Sequence, residues 1–314
     1  MSIALASPSF ARPTVLDISE MLLLGLAWGA SFLFMRVATP EFGPVALVAL
    51  RVAVAALLLA PLLRGVWRHP DAGRWWRPVL MLGIFNSALP FCLFALSALS
   101  LPAGFSAVLN ATAILWGATL GWAIFGARLG GVQALGLLLG VSGVVGMVAH
   151  KLAAAEPTAG LPLGVGAAVL ATACYGACAH YTHRHLADAP APLVAAGSQA
   201  AAALVLLVPG GLAWPVHPPS ALAWGCALAL GGLCTALAYL MYFRLIRRLG
   251  AGRAMTVTML VPAFGVMLGV ALLGEPLTPG IVLGGGLVLA GSALVLGVWP
   301  RSARRAPPSQ EVSA

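Results

Sequence analysis

Few side chains in this chain can do chemistry, and those that can are embedded in apolar sequence. Arg51 follows "PVALVAL" and stands about six residues inside a helical run, about 9 Å deep at helical rise. A charge at such depth in lipid is costly and turns toward the protein interior. Two uses fit it: contact with a carboxylate or a gating role, and a structural contact with helix-end carbonyls or with Glu41. Asn110 and Thr258 each lie about seven residues, or about 10 Å, from the start of an apolar run. Each can face an aqueous cavity or bridge two helices. Ser31 and Asn86 add two further polar groups. Trp28, Trp116, Tyr175, Tyr239 and Phe264 supply aromatic surface at mid-run, suited to an amphipathic or aromatic ligand or simply to helix packing. Glu275 ends an apolar run, where the helix dipole disfavours an acid. A structural role in the loop, with the carboxylate solvated or paired across the adjoining turn, is weighed there against a direct role. His180, His183 and His185 read as interfacial residues rather than a metal or pH site. Cys174 and Cys178 share a helix face, but without nearby acids or a second ligand pair no metal is expected, and no cofactor.

The elements that must carry these residues follow from composition. Of 314 residues, 61% are hydrophobic and 8% charged, with a mean hydropathy of +0.99. Soluble domains carry about 25% charged residues, so the chain reads as an all-α polytopic membrane protein. Ten apolar segments lie near 18–38, 44–63, 79–99, 103–125, 131–149, 162–182, 192–208, 220–246, 251–273 and 279–298, each suited to a hydrocarbon core about 30 Å thick. The first has no cleavage site after it and reads as a helix rather than a removed signal. "TPG" at Thr278–Gly280 marks a helix start, with Thr as N-cap and Pro in the first turn. Glycines inside "GLLLGVSGVVG" and "GIVLGGGLVLAGS" suit close helix approach in lipid.

The net charge of +9 has a topological use. With the N-terminus inside, Arg12, Arg64, Arg68, Arg74, Arg77, Arg128, Arg184, Arg244, Arg247, Arg248, Arg253, Arg301, Arg304 and Arg305 all fall on the cytoplasmic side, against Arg36 and Lys151 opposite. That bias places both termini in the cytoplasm. No basic and aromatic stretch of the kind that reads nucleic acid is present.

The chain repeats itself. "GFSAVLNATAILWGATLGWAIFGARL" (104–129) and "GRAMTVTMLVPAFGVMLGVALLGEPL" (252–277) coincide at an offset of 148, with Gly117 on Gly265, Gly126 on Gly274 and Leu129 on Leu277. The same offset pairs Gly83 with Gly231, Gly136 with Gly284, Gly143 with Gly291, Asn110 with Thr258 and Trp116 with Phe264. At 147, "WGAS" (Trp28–Ser31) falls on "YGAC" (Tyr175–Cys178). Five helices per half is an odd number, so the second half is inverted relative to the first. Inverted repeats in transporters place the substrate near the midplane between the halves.

"AWGASFLFMRVATP", "ALR" (Ala49–Arg51) and "LPAGFSAVLNAT" resemble one EamA-type half, and "GAGRAMTVTMLVPAFGVMLGVALLGEPLT" the other. The resemblance is to the drug/metabolite transporter superfamily and covers about residues 18–298. It implies ten transmembrane helices as two inverted five-helix repeats, a central cavity and movement of small metabolites, often export of amino acids or related compounds. It divides the chain into a cytoplasmic tail (1–17), a first repeat (18–149), a periplasmic linker (150–161), a second repeat (162–298) and a cytoplasmic tail (299–314). The chain departs from the pattern at Ala127, where a first half usually has Glu. The expected protein is an exporter in a bacterial inner membrane, monomer or homodimer, whose partners are a small solute and the lipid bilayer. A non-transporting sensor or scaffold, or a membrane enzyme, is the alternative. No mid-helix acid is present, so transport is expected to be facilitated or only weakly proton-coupled, with a neutral or zwitterionic solute.

Overall fold

A computed structural model describes residues 13–68, 72–153 and 160–297. Ten helical spans fill it: α1 Val15–Phe42, α2 Pro44–Arg64, α3 Gly73–Ala98, α4 Ala103–Phe125, α5 Gly131–Ala153, α6 Leu161–His185, α7 Leu193–Leu212, α8 Ala221–Leu249, α9 Gly252–Leu273 and α10 Pro279–Leu296. All are long and apolar enough to cross a bilayer. Large apolar side chains such as Leu138 and Val145 on α5 and Leu204 and Leu207 on α7 face outward. The buried faces mix Ala and small polar residues with Leu, Val and Phe.

Two helix starts differ from the sequence reading for identifiable reasons. α1 begins at Val15, because Thr14 and Asp17 form a reciprocal capping box. It then runs through Pro40 to Gly43, where the sequence suggested a stop at Ala38. α3 begins near Ala72 rather than 79, so Arg74 and Arg77 belong to its first turns instead of a loop. Glu156 and Asp71, Arg12 and the C-terminal arginines lie outside the described residues. The "TPG" start is present: Thr278 accepts from the Ile281 amide at 3.3 Å, with Pro279 next.

The repeat reappears as three-dimensional pseudo-symmetry. α4 and α9 both end on a left-handed glycine, Gly126 (φ 66°) and Gly274 (φ 65°), conformations that favour glycine. Both turns are closed alike, by the Ala127 amide on Gly121 O at 3.0 Å and the Glu275 amide on Gly269 O at 3.1 Å. α5 packs against α10 along a glycine seam. A Cβ on Gly136 would stand 2.6 Å from Gly291 O, and one on Gly143 2.5 Å from Gly284 O. These two contacts exchange under the 148 offset, so the seam lies on the pseudo-two-fold axis. α1 packs on α9 and α6 on α4 in the same reciprocal way. A Cβ on Gly29 would meet Phe264 at 2.7 Å, and one on its mate Gly176 would meet Trp116 at 2.8 Å.

The seam gives a sharp contrast on one helix. Gly143→Ala forces a methyl into the Gly284 carbonyl and is expected to destabilise the protein by about 1–3 kcal/mol. Gly146→Ala, one turn away with open space around it, is expected to be neutral or slightly stabilising. Thermal unfolding of the two purified variants in detergent checks the difference, and equal melting temperatures would count against the seam.

Candidate functional site

Three spans carry a π-helical segment, two of them at mid-span and one, in α7, at the start. α3 opens into a π-helix over Ile84–Ala88, α7 over Leu193–Gly197 and α8 over Gly232–Leu237. The first and third are repeat mates. Such π segments are frequent at functional sites, because they free a carbonyl and re-aim side chains. The first and third are each preceded by a glycine that lets another helix come close. A Cβ on Gly231 would lie 2.8 Å from Arg51 O on α2, and one on its mate Gly83 would lie 2.6 Å from Ser198 O on α7.

These approaches set up one polar core. Arg51 is 5% exposed. Its Nε donates to Thr235 Oγ1 at 3.0 Å, and its guanidinium lies 3.7 Å above the centre of the Phe91 ring. Thr235 in turn donates to Leu230 O at 2.8 Å, across the π segment. On the other half, Gln199 Nε2 donates to Ser87 Oγ at 2.8 Å and to Tyr239 Oη at 3.5 Å. The offset of 148 maps Arg51 on Gln199, Thr235 on Ser87 and Phe91 on Tyr239. Each α2 or α7 side chain therefore touches the aromatic of its own repeat and the hydroxyl of the other repeat. The arrangement is symmetric, and its largest chemical difference is the charge at Arg51 against the neutral Gln199.

Arg51 meets neither Glu41 nor helix-end carbonyls, the partners of its structural alternative; its contacts are Thr235, Phe91 and Met35 Sδ at 3.9 Å. Glu41 instead binds the Ser220 amide at 2.5 Å and its hydroxyl at 2.8 Å, at the start of α8. The other described acids are also engaged at the bundle ends. Asp17 pairs with Arg248 at 3.1 Å, Glu20 with Arg244 at 3.5 Å and Asp188 with Arg74 at 3.7 Å. No carboxylate among the described residues therefore partners the Arg51 charge. Its electrostatic neighbours are the neutral Tyr175, Cys234 and Tyr239.

Of the residues singled out in the sequence, this core gathers Ser31, Arg51, Asn86, Tyr175 and Tyr239. Ser31 is buried beside Cys234, and Tyr239 faces Asn86 and Ser87. Tyr175 stacks on Phe94 at 6.1 Å. Trp28 leans on Tyr242 at 5.2 Å, next to the core. Asn110 is half-buried where α4 breaks, at Ala111–Thr112, and Thr258 stands in the matching tight turn of α9, its hydroxyl on Met255 O at 2.7 Å. Trp116 and Phe264 lie along the glycines of α6 and α1. Thr235, Gln199, Ser87 and Phe91 belong to the core and were not singled out. Aligning Arg51 with Gln199 under the repeat offset is the signal that finds them.

Glu275 is half-buried and is not paired across its own turn. Its Oε1 accepts from the Ala103 amide at 2.7 Å and its Oε2 from the Gly104 amide at 3.2 Å. It thus caps the N-terminus of α4, where the dipole favours an acid. Its mate Ala127 can offer nothing equivalent to α9. There His180 occupies the space beside Gly121, bonded to Gly117 O at 2.7 Å and stacked on Phe125 at 4.8 Å. His180 is thus lodged between α4 and α6, close to the end of each helix.

Two variants follow. Glu275→Ala is expected to cost about 1–2 kcal/mol through the lost cap, read as a lower melting temperature. The exchange Arg51→Gln/Gln199→Arg places the guanidinium between Tyr239 and Ser87, an environment equivalent to its own. The double variant should melt well above Gln199→Arg alone, which buries two cations; equal melting would show that the two positions are not equivalent.

Comparison with known proteins places this arrangement. The family model described as the EamA-like transporter family matches residues 18–149 and 162–297. The uncharacterized protein PA1977 of Pseudomonas aeruginosa is 31% identical over 297 residues, spanning 90% of this chain and 94% of that protein. A solved crystal structure shares the fold with a TM-score of 0.61 at 18% identity, covering 91% of this chain and 98% of that one.

Proposed function

Because the chain belongs to the EamA-like transporter family, a multi-pass family of small-solute transporters, we propose that it exports a small amphipathic metabolite bearing a carboxylate, an amino acid or a related compound, across a bacterial inner membrane. The solute sits between the inverted repeats and is passed by alternating access. The observation that carries this reading is Arg51: a buried guanidinium at mid-depth, held by Thr235 and Phe91 but facing no carboxylate among the described residues. Burying such a charge at the centre of a membrane costs about 3 kcal/mol on insertion scales. A solute carboxylate offsets that cost through a charge-assisted, bidentate contact. The shared frame supports a site used from both sides, since each half holds one α2 or α7 side chain against a π segment of the other.

Asn110 and Thr258, at the paired breaks of α4 and α9, are the cavity-lining candidates nearest the hinge points of the two halves. Trp28 and Tyr175 supply apolar surface for the solute body. Glu275 serves as a latch between the repeats rather than a coupling group. The described acids all sit at helix ends in ion pairs or caps, which supports facilitated or weakly coupled movement. The arginine-rich end, with Arg244, Arg247 and Arg248, is the cytoplasmic face.

Exchange of labelled amino acids, supplied as a pooled set, into proteoliposomes tests the reading. The wild type is expected to exchange at least one of them, and Arg51→Gln to lower that exchange by tenfold or more with normal insertion. Unchanged exchange would remove the guanidinium from the site. A cysteine at exposed Gly73 is expected to resist labelling by membrane-impermeant reagents in whole cells; ready labelling would reverse the orientation.

A further inference from the structure

Gln199 carries more than a packing role. It is 0% exposed, and its Oε1 has no hydrogen-bond donor within reach. Both bonds that the amide makes, to Ser87 and Tyr239, use Nε2. Buried polar atoms are nearly always paired, and leaving one unpaired costs as much as a lost hydrogen bond. An apolar residue at 199 would avoid that cost. The orphan oxygen belongs to the position that the repeat makes equivalent to Arg51, and Tyr239 lies beside both side chains.

We infer that Gln199 is the second pole of the solute site, its Oε1 accepting a hydrogen bond from an ammonium or hydroxyl group on the solute whose carboxylate Arg51 holds. This rests on the carboxylate site proposed above. The two poles come from one symmetric frame with two different side chains: a fixed cation on one half and a neutral acceptor on the other. The solute is therefore bound one way round. A second carboxylate would meet an acceptor and be disfavoured, and an amine without a carboxylate would meet the cation and be repelled. Selectivity here comes as much from these mismatches as from the matched contacts.

Three probes of one carbon skeleton separate the poles: leucine, 4-methylpentanoate, which lacks the ammonium, and isopentylamine, which lacks the carboxylate. Binding is read as thermal stabilisation of the purified full-length protein across a titration. The wild type is expected to bind leucine about tenfold more tightly than 4-methylpentanoate, the usual size of a charge-assisted hydrogen bond, and isopentylamine not at all. Gln199→Leu is expected to abolish the leucine preference while leaving 4-methylpentanoate affinity within about twofold, which also shows that the variant is folded. Gln199→Glu keeps the acceptor and is expected to widen the preference, which guards against a misfolded Leu variant. An unchanged ratio of leucine to 4-methylpentanoate affinity in both variants would overturn the role of Gln199 and leave the Arg51 site standing. Binding of neither acid by the wild type would overturn the Arg51 site and this inference together.

Discussion

A guanidinium buried at the middle of a membrane protein needs either a counter-charge or a purpose. Arg51 has the supports of a fixed group: a hydroxyl on a π segment of the other repeat, an aromatic face of its own repeat, and a glycine at position 231 that brings α8 against its backbone. What it lacks among the described residues is an anion. The acids that would neutralise it sit at the bundle ends, tied to other arginines or to helix N-termini. The core therefore keeps one uncompensated positive charge at mid-depth, and the surrounding architecture holds that charge in place without neutralising it.

The inverted repeat explains how such a core is built and where it has diverged. Glycine pairs put α5 on α10, α1 on α9 and α6 on α4 by the same contacts read twice. Within that frame two differences between mates change the charge. Arg51 has Gln199 as its repeat mate, and the two are the unlike poles of the proposed site. Glu275 faces Ala127, so that one end of the bundle carries a carboxylate cap between repeats while the other carries a histidine ring lodged between α4 and α6. Symmetry supplies the scaffold, and its loss at these positions gives the proposed site its two poles and the two ends of the bundle different contacts.

Much of this was legible in the chain. The ten apolar runs, the offset of 148 and the glycines of α5 and α10 all pointed to the fold, since periodic hydrophobicity and small-residue spacing are properties of the sequence itself. Arg51 stood out because a charge inside an apolar run is visible without any structure. Its partners were not. Gln199 and Arg51 are chemically unlike, so their equivalence is hidden unless the repeat is aligned through α2 and α7. The π segments that aim Ser87 and Thr235 leave no compositional mark. Glu275 was read against its own helix and turn, whereas its partners are amides more than 170 residues away. The start of α1 was placed late because the capping box of Thr14 and Asp17 lies in the polar residues before the apolar run.

The most direct measurement is the distance between the isotope-labelled carboxylate carbon of bound leucine and labelled arginine guanidinium nitrogens, by solid-state NMR on the protein in lipid. A carboxylate held by Arg51 gives a contact of about 4 Å that disappears in Arg51→Gln. Bound leucine with no such contact, or with a contact that survives Arg51→Gln, would contradict the assignment of the buried charge to the solute.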